Sequence, residues 1–136
     1  MSPAPIDTSR ARLMALMYPK EGVSFEQFDA YWSQEHSKLF TSLDIVKKNL
    51  TTYEQYHLHQ PTIQILTAQG VTPVSFYGVA IFEAVSMEKV LEVFTSDEYN
   101  TIVVPDEDKF FDRTKTQLLP GYLARFVEDS TAGKGL

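Results

Sequence analysis

A chain of 136 residues, 43% hydrophobic and 22% charged, has the size and composition of one globular domain with a real core. Twelve Lys and Arg against 18 Asp and Glu leave a net charge of −6, and with no basic cluster no nucleic-acid partner is expected. The lack of Cys excludes disulfides, Cys-ligated zinc, iron–sulfur clusters and thiol catalysis.

Residues 1–9 (MSPAPIDTS) are small, polar and Pro-rich, and read as a loose end with no apolar core of a signal peptide. Residues 129–136 read as a second loose end, which leaves a single domain over residues 10–128. No apolar run approaches the roughly 18 residues of a membrane span, so no membrane partner and a cytoplasmic location are expected.

The first element, Arg12 to Tyr18, is apolar on both alternating faces and stops at Pro19, as suits a central strand. Ser24-Phe25-Glu26-Gln27 has the S-x-x-Q form of a capping box. Phe25, Phe28, Trp32, His36, Leu39/Phe40 and Leu43 then recur every three or four residues, which predicts a helix of about five turns with one buried stripe. A more polar strand follows over Leu50 to His59, with a short helical turn expected within residues 62–73, before Gly70. Phe76 to Glu83 is again apolar on both faces. Ser86 caps a helix with Val90, Leu91 and Phe94 on its inner side, and Asp97 to Ile102 gives a further helical piece. Pro105-Asp106 starts another turn, and Leu119 to Glu128 is the last strand.

The order is β-α-β-β-α-β, an α+β, ferredoxin-like arrangement with a four-stranded antiparallel sheet. Strands one and three are central in that arrangement, and these are the two that are apolar on both faces. Helices cover one side of such a sheet only. The uncovered side calls for a partner, and a second copy of the chain in a two-fold homodimer, sheet on sheet, is the expected one.

Three histidines carry most of the chemical information. His36 points inward on the buried helix stripe, where lost solvation favours the neutral imidazole. It reads either as a core histidine bonded to a backbone carbonyl or as a proton acceptor. His57 and His59 lie two apart on a strand beside Tyr53, so their rings share a face. If that face meets the long helix, they join His36 in one acid–base cluster; if it faces outward, they are solvated. The three histidines with Glu35 or Glu54 supply enough ligands for a metal, but no H-E-x-x-H frame anchors them, and no metal is expected.

Nine Phe, seven Tyr and one Trp are many for this length. Tyr18, Phe28, Trp32, Phe40, Phe94, Phe110 and Phe111 fit a core, and the first six are also candidates to line a slot for a ring-shaped ligand. Tyr53, Tyr56 and Tyr77 add hydroxyls able to orient a phenol or carbonyl. There is no G-x-G-x-x-G, P-loop or G-x-S-x-G motif, so no cofactor is expected. The run Asp106-Glu107-Asp108 reads as a helix N-terminus, where carboxylates suit the dipole.

Tyr18-Pro19-Lys20, Phe25-x-x-Phe28-x-x-Tyr31-Trp32-x-x-Glu35-His36, Phe76-Tyr77-Gly78 and Pro105-Asp106-Glu107-x-x-Phe110-x-Asp112 together resemble EthD-domain proteins of the dimeric α/β-barrel superfamily. The resemblance covers about residues 11–128 and is most specific along the Trp-to-His helix. It implies a barrel made by two sheets in a dimer. Fungal members resemble tailoring decarboxylases and dehydratases of aromatic polyketide pathways, and more distant relatives include cyclases and cofactor-independent monooxygenases. His36 matches the family's helix histidine; His57 and His59 match no family-wide motif.

The expected function is therefore a cofactor-independent lyase or cyclase in secondary metabolism, acting on an aromatic or polyketide-like small molecule. His36 is its base or acid, His57 or His59 the partner, and Tyr53 or Tyr77 the hydrogen bond to a substrate oxygen. A non-catalytic binder of a hydrophobic ligand, a cofactor-free monooxygenase and, more distantly, a haem protein are the alternatives. Fold alone does not choose among them.

Overall fold

In the computed structural model, which describes residues 5–127, the first strand, β1, runs over Ile6–Met17. Ala11, Leu13, Ala15 and Met17 are buried on one face, while Arg12, Met14 and Leu16 alternate with them, half-buried, on the other. The strand starts well before Arg12, and Ile6 already pairs with Ala124. The expected loose end is thereby corrected for Ile6–Ser9, which are strand. Those residues are exposed on both faces, beyond the core, so they carry no alternation by which to recognise them. Residues 1–4 and the second expected loose end, 129–136, lie outside the described residues.

Ser24 Oγ accepts from Gln27 N at 3.1 Å and Gln27 Oε1 from Ser24 N at 2.9 Å, the reciprocal capping box that the spacing predicts. The long helix, α1, begins there. It is α-helical over Phe25–Tyr31, π-helical over Trp32–His36 and α-helical again over Ser37–Ser42. The π turn closes with a bond from Ser37 N to Trp32 O, five residues apart. The extra residue is absorbed in that turn, and Trp32, His36 and Phe40, each four apart, are all buried. Leu43 turns extended and ends the helix, and a short helix missed in the sequence, α2 (Asp44–Asn49), follows. The Glu98 carboxylate caps it, accepting from Asp44 N and Ile45 N at 2.9 Å each.

The chain continues as β2 (Thr52–His57), α3 (Gln60–Ala68), β3 (Gly78–Ala84) and α4 (Met87–Thr95), with Ser86 Oγ capping α4 at Lys89 N. A last helical stretch, α5, is π-helical over Tyr99–Val103 and α-helical over Val104–Glu107, and β4 (Gln117–Ala124) ends the sheet. The sheet order is β2-β3-β1-β4, antiparallel throughout, with β1 and β3 central. This is the α+β, ferredoxin-like topology expected from the order of elements.

The core lies between the helices and one sheet face: Leu13 and Ala15 of β1 and Ala80 and Phe82 of β3 meet Trp32, Phe40, Val90 and Val93. The strand register places Tyr56, Val79 and Leu16 in one row on the opposite face, and Ile81, Met14 and Leu119 in the next. Helix α3 buries none of its residues, leaves Ile65 and Leu66 exposed, and is followed by Gly70 at φ +92°.

Candidate active site

A cavity of about 390 Å³ opens between the helices and the inner sheet face. Leu13, Ala15, Met17, Ala80 and Phe82 form its sheet wall, and Trp32, Phe40 and Phe94 form much of its helix wall. Leu91 and Leu118 line it while staying half exposed or more, and Arg113 joins them with a partly exposed guanidinium; these mark the mouth. The polar groups on this otherwise apolar surface are few: His36, Tyr53, Tyr99, Glu107, Arg113 and Thr116. An apolar cavity with a handful of convergent polar groups is the usual form of a small-molecule site.

His36 is 4% exposed. Its Nδ1 lies 2.8 Å from Asp106 Oδ2, and Asp106 in turn accepts a hydrogen bond from the Tyr31 hydroxyl. Phe110 packs against the imidazole at 5.0 Å from behind. Burial pushes the His36 pKa below its ordinary value, against the opposing pull of Asp106. Burial also acts to raise Asp106, but the hydrogen bonds from Tyr31 and His36 outweigh it and hold the carboxyl below its usual range. A neutral imidazole beside an ionised carboxylate donates its Nδ1 proton to that carboxylate, which leaves the Nε2 lone pair as the acceptor.

Tyr53, on β2, accepts a hydrogen bond from Gln55 Nε2 at 2.8 Å, and the same amide nitrogen donates to Trp32 O at 3.0 Å. Burial pushes the Tyr53 pKa up to about 12, so its hydroxyl is neutral and keeps a proton to donate. Glu107 is 6% exposed, with the Tyr99 hydroxyl donating to Oε2 at 2.5 Å and Arg113 Nε 3.2 Å from Oε1. Burial raises its pKa to about 7 against the Tyr99 hydrogen bond and the Arg113 charge.

The structure brings together His36, Tyr53, Trp32, Phe40 and Phe94 of the residues singled out in the sequence. It does not bring His57 or His59 to them. His57 does face α1, as one reading of the strand allowed, but at its outer end: Nδ1 pairs with Asp29, Nε2 with Gln55, and the ring lies 4.8 Å from Trp32. Trp32 stands between His57 and the cavity, seated on Gly78, where an added Cβ would come within 2.4 Å of its Cζ3. His59 lies past the end of β2, bonded through Nδ1 to Thr62 Oγ1 at the start of α3. Tyr77 packs edge-on against Phe25 and Phe28, Tyr18 bonds to Gln117, and neither residue lines the cavity. Phe28 and Phe110 are core residues behind the cavity wall.

Asp106 and Glu107 were missed. Each is 6% exposed, in the last helical turn of α5, where the sequence read only a helix start suited to acidic groups. The family motif Pro105-Asp106-Glu107 was the one available signal. Pairing of Lys20 N with Phe110 O and of Asp112 N with Tyr18 O ties this acidic turn to the end of β1. Among the described residues no group of three or more His, Asp or Glu is placed to hold a metal ion, and no helix is long and apolar enough to cross a membrane.

The sequence profile of the EthD domain matches residues 20–114, which contain the long helix, His36, Tyr53 and both acidic groups. The chain belongs to the EthD family. No protein with a curated description matches this EthD chain. Among solved structures, an EthD-family protein from Bacillus halodurans is 17% identical with a TM-score of 0.55, covering 82% of this chain and 96% of its own. An EthD-like protein from Ralstonia eutropha is also 17% identical with a TM-score of 0.56, covering 91% and 98%. A dimeric protein of unknown function and ferredoxin-like fold from Bacteroides fragilis is 9% identical with a TM-score of 0.58, covering 85% and 97%. At these identities the likeness is one of fold, and it agrees with the strand order of this EthD domain.

Proposed function

We propose that this EthD protein is a cofactor-independent acid–base enzyme, a lyase or cyclase of the decarboxylase or dehydratase type. Its substrate is an aromatic or polyketide-like small molecule of secondary metabolism. The observation that carries the reading is the buried His36–Asp106 pair on the wall of an apolar cavity. Asp106 fixes the tautomer and orients the ring, and Nε2 takes a proton from carbon or oxygen of the bound molecule. The neutral Tyr53 hydroxyl donates to the oxygen on which enolate charge develops. The aromatic walls hold one or two rings and exclude water.

The test is α-proton exchange of 2-tetralone in deuterated water, followed by NMR with purified protein and no additive. Acceleration that disappears in His36→Gln supports the reading. No acceleration, or acceleration that survives in that variant, overturns it.

The working unit is a two-fold dimer in this proposal, formed through the sheet face that carries Leu16, Met14, Ile81 and Leu119. The Bacteroides fragilis relative is described as dimeric, which supports it. A light-scattering mass of one chain at micromolar concentration would remove the dimer from the reading without touching the chemistry.

A further inference from the structure

Beyond His36 and Asp106 the cavity holds a second buried acid that the mechanism above does not use. Glu107 Oε2 is taken by the Tyr99 hydroxyl, but Oε1 is buried and has no hydrogen-bond partner. Arg113 Nε is near enough for charge attraction, at 3.2 Å, without completing a hydrogen bond to Oε1. A carboxyl whose Tyr99-bound oxygen already accepts a proton carries its own on the other oxygen. That places a buried O–H donor at Oε1 of a residue that lines the cavity, and among the described residues no protein group accepts from it. A buried donor left without an acceptor is destabilising, and that cost is removed when a ligand oxygen arrives.

We propose that Glu107 is the proton donor of this site, passing a proton from Oε1 to an oxygen of the bound molecule while His36 Nε2 accepts one from it. The proposal rests on the reading of the cavity as a site for a ring-bearing molecule, and it specifies the substrate further: a carbonyl compound with an acidic proton on the adjacent carbon. In the step, the C–H bond breaks towards His36 Nε2 and its electron pair forms the C=C bond. The carbonyl π pair takes the Glu107 proton, giving an enol, an imidazolium and a carboxylate. Water at the mouth returns a proton to Glu107 and removes one from His36. The Glu107 proton is retained to about neutral pH because burial outweighs the opposing Tyr99 hydrogen bond and Arg113 charge. The titratable and charged groups facing it are Tyr99, Asp106 and Asp108 on its own stretch, Arg113 beyond it, His36 on α1 and Tyr53 on β2.

The experiment is isotope-edited infrared spectroscopy of 2-acetylnaphthalene, labelled at the carbonyl carbon and bound to the intact protein across the pH range. The expected result is a carbonyl band lowered in frequency by the acid and released as pH rises through about 7. That step is absent in Glu107→Gln, persists in His36→Gln, and moves to higher pH in Arg113→Gln, which removes a charge favouring the carboxylate. A bound carbonyl with no such pH step in the wild-type protein overturns the proposal, and so does a step that survives in Glu107→Gln. Failure of the probe to bind overturns this proposal and the ring-binding reading together, whereas binding without the step overturns the Glu107 role alone.

Discussion

Asp106 Oδ2 lies 2.8 Å from His36 Nδ1 although the two residues are 70 positions apart in the chain, and both side chains are buried. Asp106→Asn keeps the shape but replaces a charged acceptor with an amide that can donate to Nδ1 and put the imidazole proton on Nε2. Exchange of 2-tetralone α-protons is expected to fall by about a hundredfold or more, the scale of a lost acid–base contribution. NMR of the His36 ring nitrogens reads the tautomer directly, and an unchanged tautomer with unchanged exchange would dismiss the role given to Asp106.

His57→Ala is the contrasting case. The ring bridges Asp29 and Gln55 and lies against Trp32 outside the cavity. The variant should keep its exchange rate and lose about 1 kcal/mol of stability, measured by urea unfolding. A loss of exchange without a loss of fold would return His57 to the site.

The pH dependence of stability separates two buried groups of opposite sign. Glu107 titrates near 7 in the fold against an ordinary 4.5. Between those values the folded state binds more protons, so its contribution is full below about 4.5 and is lost as pH rises through about 7, by up to about 3 kcal/mol. His36 is held below its ordinary 6.5, so its contribution is full above that value and declines as pH falls towards the lowered folded value. Urea midpoints of Glu107→Gln should therefore lose the fall in stability towards neutral pH and keep the His36 rise. Identical pH profiles for the variant and the wild type would refute the burial argument for Glu107.

Gly78→Ala tests the closure of the cavity at the Trp32 end. The new methyl would meet Trp32 Cζ3 at 2.4 Å and Cη2 at 2.8 Å, and the indole, fully buried, has little room to yield. A destabilisation of about 1–3 kcal/mol is expected. Trp32 is the single Trp of the chain, so its fluorescence reports the displacement directly; an unshifted spectrum with unchanged stability would contradict the packing described.

The fold was legible where burial imposes a period. The capping box and the stripe through Phe28, Trp32, His36 and Phe40 located α1, and the two-sided apolar strands placed β1 and β3 at the centre of the sheet. Ile6–Ser9 and α2 were not legible, since the first lies beyond the core and the second is capped by Glu98, 54 residues away from Asp44. Within the site, His36 could be singled out because it interrupts an apolar stripe. Asp106 and Glu107 could not be, because acidic residues in a short helical turn look the same whether they face solvent or a histidine on another helix. His57 and His59 show the converse: strand alternation places a ring on a face but says nothing of how far along that face the cavity extends.

The π turn over Trp32–His36 is where α1 can change length without changing face. A π turn holds one residue more than an α turn, so deleting one residue there would let the segment relax to ordinary α-helix while Phe28 and Phe40 keep their common side. A deletion in the α-helical parts of α1 would instead rotate everything after it by about a quarter turn or more, carrying Phe40 away from the sheet. In this stretch of the gene, a single-codon deletion should therefore be tolerated best within the π turn.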